Sequence, residues 1–283
     1  MAAGMTGLVS ATLAPSAVGA SPLVAGGLKA DKSGPIAWDP RLKLKAISSR
    51  AKQLWPVVYV DTANTIATVE RDVEAAFEGG ADAVVLELGK AANIPVLARA
   101  IEHVRHKYPT AKVGANYLGD EDGGQDMYGY KTSFKLAKEF GLHIVWVDFC
   151  GVDLIKELPE ISLHAIEAAR DPNTFYVSGV HMKYGTLIDP NKTIEQSALQ
   201  AMGWVEGIIV TGPKTGVPAD PDKARRVRQV VGTYPMGLAS GVSAENFPSF
   251  APHVDYCLVN SSIADENHRL IKAKVRELRN VMG

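Results

Sequence analysis

The chain has 283 residues, a formal net charge of −1, 46% hydrophobic and 22% charged residues. That supplies enough apolar material for one large α/β barrel or two smaller domains. The near-neutral balance carries no basic stripe and argues against a general nucleic-acid binder, and no run approaches the roughly 20 apolar residues of a membrane span.

Residues 1–28 contain no charged side chain and are rich in Ala, Gly, Ser and Thr. A secretory signal needs a basic start and a firmer apolar core, and a transit peptide would want arginine. We expect residues 1–35, uncharged through residue 28, to form a flexible leader or a lid over the barrel bottom, with one domain over 36–283. The two cysteines, Cys150 and Cys257, fall in or beside expected strands. They read as reduced and partly buried, which suits a cytoplasmic protein.

From residue 55 onward a pattern repeats. Apolar strand cores are expected at 56–60, 83–88, 112–117, 142–147, 175–180, 207–210, 236–239 and 256–259. Their starts are 27, 29, 30, 33, 32, 29 and 20 residues apart, the period of strand–loop–helix–loop units. Ile66, Val69, Val73, Ala76 and Phe77 make one helical stripe stopped by Gly79-Gly80. The segment 94–107 carries Leu97, Ile101 and Val104, with Pro95 tolerable in a first turn. Phe134, Ala137 and Phe140 precede Gly141; Ile194, Ala198 and Met202 precede Gly203. Asp220-Pro221 opens a helix with Ala224, Val227 and Val231, and a last helix after Asp265 carries Leu270, Ile271, Val275 and Leu278. Eight strands separated by helices predict a closed (β/α)8 barrel. An open doubly wound sheet would want fewer strands and a glycine-rich first turn, which is missing.

In such a barrel the chemistry sits at the C-terminal ends of the strands. Those ends carry, in order, Asp61, Glu87, Asn116, Asp148, His181 with Lys183, Thr211 with Lys214, Ser240-Gly241, and Asn260-Ser261-Ser262. Strand alternation pairs Asp61 with Tyr59, Glu87 with Val85, Asp148 with Trp146, and His181 and Lys183 with Gly179. Asp61, Glu87, Asp148, His181 and Lys183 are the candidate catalytic groups; Asn116, Thr211 and Lys214 are candidate substrate contacts. Each has a bland reading: Asp61 as a turn residue, Asp148 as an ion-pair partner of Lys183, His181 as a satisfied core histidine. Lys183 suits an anion contact, an ion pair or a Schiff-base nucleophile.

The stretch Ser240-Gly241-Val242-Ser243-Ala244-Glu245-Asn246 reads as an anion cup. Gly241 lets the backbone come close to a ligand. Ser243 caps a helix expected to start at Ala244, whose free N–H groups favour phosphate. With Val242 and the small end Asn260-Ser261-Ser262, it makes the expected phosphate site.

Three further features are weaker. His103 and His106 lie three apart on a helix with no third ligand, so no resident metal is assigned, although a divalent metal is compatible with the carboxylates. The acidic, glycine-rich loop 119–126 suits a lid or a weak cation site. The basic run Lys223-Ala224-Arg225-Arg226-Val227-Arg228 reads as a solvated helix face.

Val177-Ser178-Gly179-Val180-His181-Met182-Lys183, then Gly207-Ile208-Ile209-Val210-Thr211-Gly212-Pro213-Lys214-Thr215-Gly216, then Ser240 to Asn246 together resemble the BtpA/SgcQ family. Gly80 to Glu87 also resembles its second strand, whereas Val57-Val58-Tyr59-Val60-Asp61, Leu88-Gly89 and Val147-Asp148-Phe149-Cys150 depart from its pattern. The resemblance implies a ribulose-phosphate-binding TIM barrel. It leaves open an enzyme or a non-enzymatic assembly factor of the photosystem I biogenesis type.

The residues themselves suggest an enzyme that binds a phosphorylated sugar or nucleotide and acts at a ribosyl or glycosyl bond, as hydrolase or transferase. A phosphosugar isomerase or aldolase is the near alternative. The expected partner is a phosphorylated small molecule, and a homo-oligomer is compatible.

Overall fold

The computed structural model describes residues 39–61, 66–88, 93–118, 129–153 and 163–283. The leader and the acidic loop 119–126 lie outside the described residues. Eight parallel strands close on themselves in chain order: β1 (Gln53–Val60), β2 (Val84–Leu88), β3 (Val113–Asn116), β4 (Ile144–Phe149), β5 (Phe175–Gly179), β6 (Gly207–Thr211), β7 (Met236–Ala239) and β8 (Tyr256–Val259). Pairing of β1 with β8, Gln53 opposite Tyr256 through Pro56 opposite Val259, completes the ring. The expected (β/α)8 barrel is the observed fold.

Alternation within the strands creates two cores. Outward residues such as Val58, Leu86, Val145 and Leu238 meet the helices, while inward residues fill the barrel. Trp55 stacks on Tyr256 at 4.4 Å between ring centroids, and Phe175 meets both rings edge-on. Gly237 makes this packing feasible, since a Cβ there would sit 2.2 Å from the Tyr256 ring. These rings fill the lower part of the barrel lumen.

The periodic stripes form α2 (Ile66–Glu78), α3 (Ile94–Lys107), α4 (Tyr130–Phe140), α6 (Ile194–Ala201) and α7 (Pro221–Val231). Two helices lacked a readable stripe. In α1 (Pro40–Ile47), Leu44 and Ile47 plug the bottom of the barrel; α5 (Leu163–Ala169) buries Ile166 alone. Lys43 of α1 bonds the fully buried Glu206 at 2.8 Å; Arg170 pairs with the same carboxylate, which also accepts the Tyr176 amide at 2.9 Å.

Two helix starts differ from the expectation. The helix after Ser243 is a turn over 244–246 followed by the four-residue α8 (Phe247–Phe250). Ser243 and Asn246 instead bond each other, side chain to backbone in both directions, at 2.9 and 3.3 Å. The last helix, α9 (Lys272–Met282), begins after Leu270 and Ile271. Leu270 pairs with Ala264 in a bridge, and its amide meets the buried Asp72. Residues 264–270 therefore form a loop over the barrel mouth.

Candidate active site

The mouth holds a cavity of about 730 Å3, inside the range of small-molecule sites. Tyr59 and Asp61 of the β1 end, Glu87 of β2, Trp146 and Asp148 of β4, and Leu258 and Asn260 of the β8 end all line it. Their inward direction follows from the strand pleat, because each stands two residues beyond another lumen-facing position.

At the floor, Asn116 is fully buried. Its Nδ2 donates to Glu87 Oε2 at 3.3 Å and to Asp148 Oδ1 at 3.4 Å, so one amide bridges two carboxylates. Burial pushes the Glu87 carboxyl up to about 8; the Asp148 charge adds to this, and Lys183 and Asn116 oppose it. Glu87 thus keeps its proton near neutral pH beside a second carboxylate, which is the environment of a general acid. The Tyr59 hydroxyl is raised well above its ordinary range, first by burial and then by Glu87 and Asp148. Three buried polar atoms at the mouth lack a partner among the described residues: Asp61 Oδ1, Asn116 Oδ1 and Trp146 Nε1. Unsatisfied buried groups in a cavity are what a polar ligand would meet.

The opposite wall comes from the loops after β5 to β8. Lys183 Nζ donates to Ser240 Oγ at 3.0 Å and Thr215 Oγ1 at 3.2 Å, and Tyr184 closes on Thr215 from outside. Ser240 and Gly241 both take positive φ, 77° and 68°. A Cβ on Gly241 would lie 2.1 Å from Pro218 N, so only glycine lets the β6 and β7 loops touch. Ser240, Gly241 and Ser261 line the cavity, and the amides of Gly241, Val242, Ser261 and Ser262 make no bond among the described residues. Val242 is itself buried, and its carbonyl accepts the Ser262 hydroxyl. Those two side chains are therefore structural, whatever their amides do.

His181 is not in the mouth. β5 ends at Gly179, and His181 takes φ 47°, which breaks the alternation that would have placed it beside Lys183. Its amide donates to Asp153 Oδ2 at 2.6 Å, and its ring faces a second cleft of about 400 Å3 with Lys192 and Lys223. Burial holds the ring below its ordinary pKa. Thr211 is buried beneath this turn, where Oγ1 accepts the Lys183 amide at 3.2 Å and the carbonyl accepts Lys223 Nζ at 3.1 Å. Lys214 stands on the solvent side of its loop; Thr215 and Gly216 take the cavity side.

Other mouth residues escaped the strand-end reading. Asn267, His268 and Arg269 enter from the loop before α9. Arg269 is held by the fully buried Asp72 at 3.0 Å, and Asp265 accepts the amides of Asn267 and Arg269. That Asx turn was the available signal. Among the described residues no group of three or more His, Cys, Asp or Glu is placed to hold a metal. His103 instead bonds Glu70 at 2.6 Å. Both cysteines are free and buried, which pushes their thiols up to about 12. No described helix is long and apolar enough to cross a membrane.

No protein family matches the chain, and no curated protein does. Solved structures do. A tryptophan synthase chain from M. tuberculosis superposes at TM-score 0.58 with 17% identity, over 86% of this chain and 96% of that one. Phosphoribosyl anthranilate isomerase from Thermus thermophilus matches at 0.54 with 13% identity, over 81% and 98%. KGPDC from Streptococcus mutans matches at 0.54 with 13% identity, over 82% and 98%. At these identities the likeness extends to the barrel alone.

Proposed function

We propose that the mouth is an active site for a phosphorylated sugar or nucleotide, worked on by acid–base chemistry. The observation that carries this reading is a carboxyl pair bridged by Asn116, with Glu87 protonated near neutral pH, facing a lysine and a wall of small hydroxyl residues. An anionic group would lie against Lys183, Ser240, Gly241 and Ser261, where free amides and one ammonium favour phosphate. Glu87 would then give a proton to the reacting centre while Asp148 stabilises developing positive charge or activates water.

At a ribosyl or glycosyl bond this division of labour is that of acid and nucleophile or base. The same pair would serve a proton transposition. That second reading is favoured by the isomerase named above, which shares the fold and whose substrate name includes a phosphoribosyl group. Hydrogen bonds from Lys183 to two hydroxyls at the phosphate wall support an anion-holding role over a Schiff base.

A thermal-shift panel of inorganic phosphate, sugar phosphates and nucleotides tests the site, since an occupied mouth stabilises the fold. Proton NMR of the stabilising compound then separates the reactions. A shift of the anomeric proton to the position of a free or newly substituted sugar marks glycosyl cleavage, whereas its disappearance, or solvent deuterium on carbon, marks isomerase or lyase chemistry. Binding without turnover points to the non-enzymatic role, and a panel with no stabilising member refutes the phosphate site.

A further inference from the structure

The mouth contains an imidazole that the carboxyl pair does not explain. His268 sits at φ 60° on the loop before α9, exposed at the rim of the cavity. Its ring stands edge-on to Tyr59, 5.3 Å between centroids, and Nδ1 lies 3.1 Å from Asn260 Oδ1.

The surroundings of Asn260 decide which ring nitrogen holds the proton. Asn260 is buried, and its Nδ2 donates to the Val57 carbonyl at 2.8 Å and the His268 carbonyl at 3.3 Å. Two carbonyl acceptors can only be met by the NH2 end of the amide, so the other end is the oxygen. An amide oxygen only accepts, so Nδ1 of His268 carries the hydrogen. In the neutral ring Nε2 is then a bare lone pair, and no described residue bonds it. Asn260 is anchored to β1 and Tyr59 belongs to β1, so the ring is held from two sides by the barrel.

We infer that His268 Nε2 accepts a hydrogen bond from a hydroxyl of the bound ligand, next to the Ser240–Ser261 wall. The inference rests on the proposed phosphate site and narrows its ligand. A polyol phosphate, with a hydroxyl a short reach from its phosphate, satisfies both features, whereas a phosphate carrying only an apolar group leaves Nε2 to water.

Two substitutions separate the nitrogens. In His268→Asn the side-chain NH2 can replace Nδ1–H and Nε2 is lost; asparagine also tolerates the positive φ. In His268→Gln the longer amide can place an acceptor near Nε2. Binding of ribose 5-phosphate and of inorganic phosphate is measured by calorimetry for wild type and both variants. We expect His268→Asn to weaken ribose 5-phosphate about five- to tenfold, the size of one hydrogen bond, with inorganic phosphate unchanged and His268→Gln recovering part of the loss. Equal weakening of both probes, or of neither, overturns the inference and leaves the phosphate site standing. If wild type binds neither probe, the phosphate site itself fails, and the inference falls with it.

Discussion

Replacing Glu87 by Gln tests the electrostatics of the mouth without any knowledge of its substrate. Folding lifts this carboxyl from 4.5 to about 8, chiefly by burial and secondarily by the Asp148 charge. Between those values the folded protein holds a proton that the unfolded chain has released. Stability is therefore complete below about pH 4.5 and declines as pH rises through about 8. At about 1.36 kcal/mol per tenfold the full rise corresponds to about 5 kcal/mol. Glu87 lines an open cavity that water reaches, so about half of that, roughly 2–3 kcal/mol, is the expected penalty above pH 8. Glutamine keeps the size and the contact with Asn116 but has no proton to lose. Urea unfolding of both proteins from pH 5 to pH 9 should show little difference at the acid end. The variant should then gain steadily, reaching about 2 kcal/mol or more at the alkaline end. A stability difference that stays flat across this range would refute the buried, proton-holding carboxyl and the general-acid role built on it.

Lys183→Met should leave the fold intact and weaken inorganic phosphate binding about tenfold or more, because it removes the mouth ammonium that bonds Ser240 and Thr215; calorimetry reads this, and unchanged affinity would exclude Lys183 from the anion site. Gly241→Ala should cost about 3 kcal/mol or more in urea unfolding, since it combines a positive φ with a Cβ driven into the Val217–Pro218 backbone; a loss below about 1 kcal/mol would mean the two loops part easily. Glu206→Gln should cost about 3–5 kcal/mol by leaving Lys43 and Arg170 without their shared carboxylate at the barrel bottom, measured by the same unfolding experiment.

The barrel was legible because each strand–helix unit repeats one physical requirement: an apolar strand buried on both faces, then a helix with one apolar stripe. The pleat carried the reading further, since Tyr59 with Asp61 and Trp146 with Asp148 line the same cavity. α1 and α5 were not legible. Each buries only one to three side chains, too few for a periodic stripe to stand out. The basic run on α7 is a solvated face only in part. Arg225 and Arg226 are exposed and pair with Asp222 and Glu195, whereas Lys223 and Arg228 are half-buried, Arg228 against Asp255, a partner 27 residues away.

The two histidines show where strand logic stops. His181 lies two residues past a strand end, and counting by twos places it in the mouth. The counting rule holds only while the backbone stays extended, and a carboxylate at Asp153 captures the His181 amide and turns the chain into the left-handed region. His268 lies nine residues past a strand end, inside a segment whose Leu270 and Ile271 spacing imitates the start of a helix. It reaches the mouth because Asp265 folds the loop by Asx bonding and Asp72 ties Leu270 and Arg269 to α2. In both cases an aspartate outside the strand decides where an imidazole points: Asp153, 28 residues away, for His181, and the distant Asp72 together with the neighbouring Asp265 for His268. The strands place the carboxyl pair by local rules, whereas long-range polar contacts place the histidines, so the same amino-acid type reads clearly in one setting and not in the other.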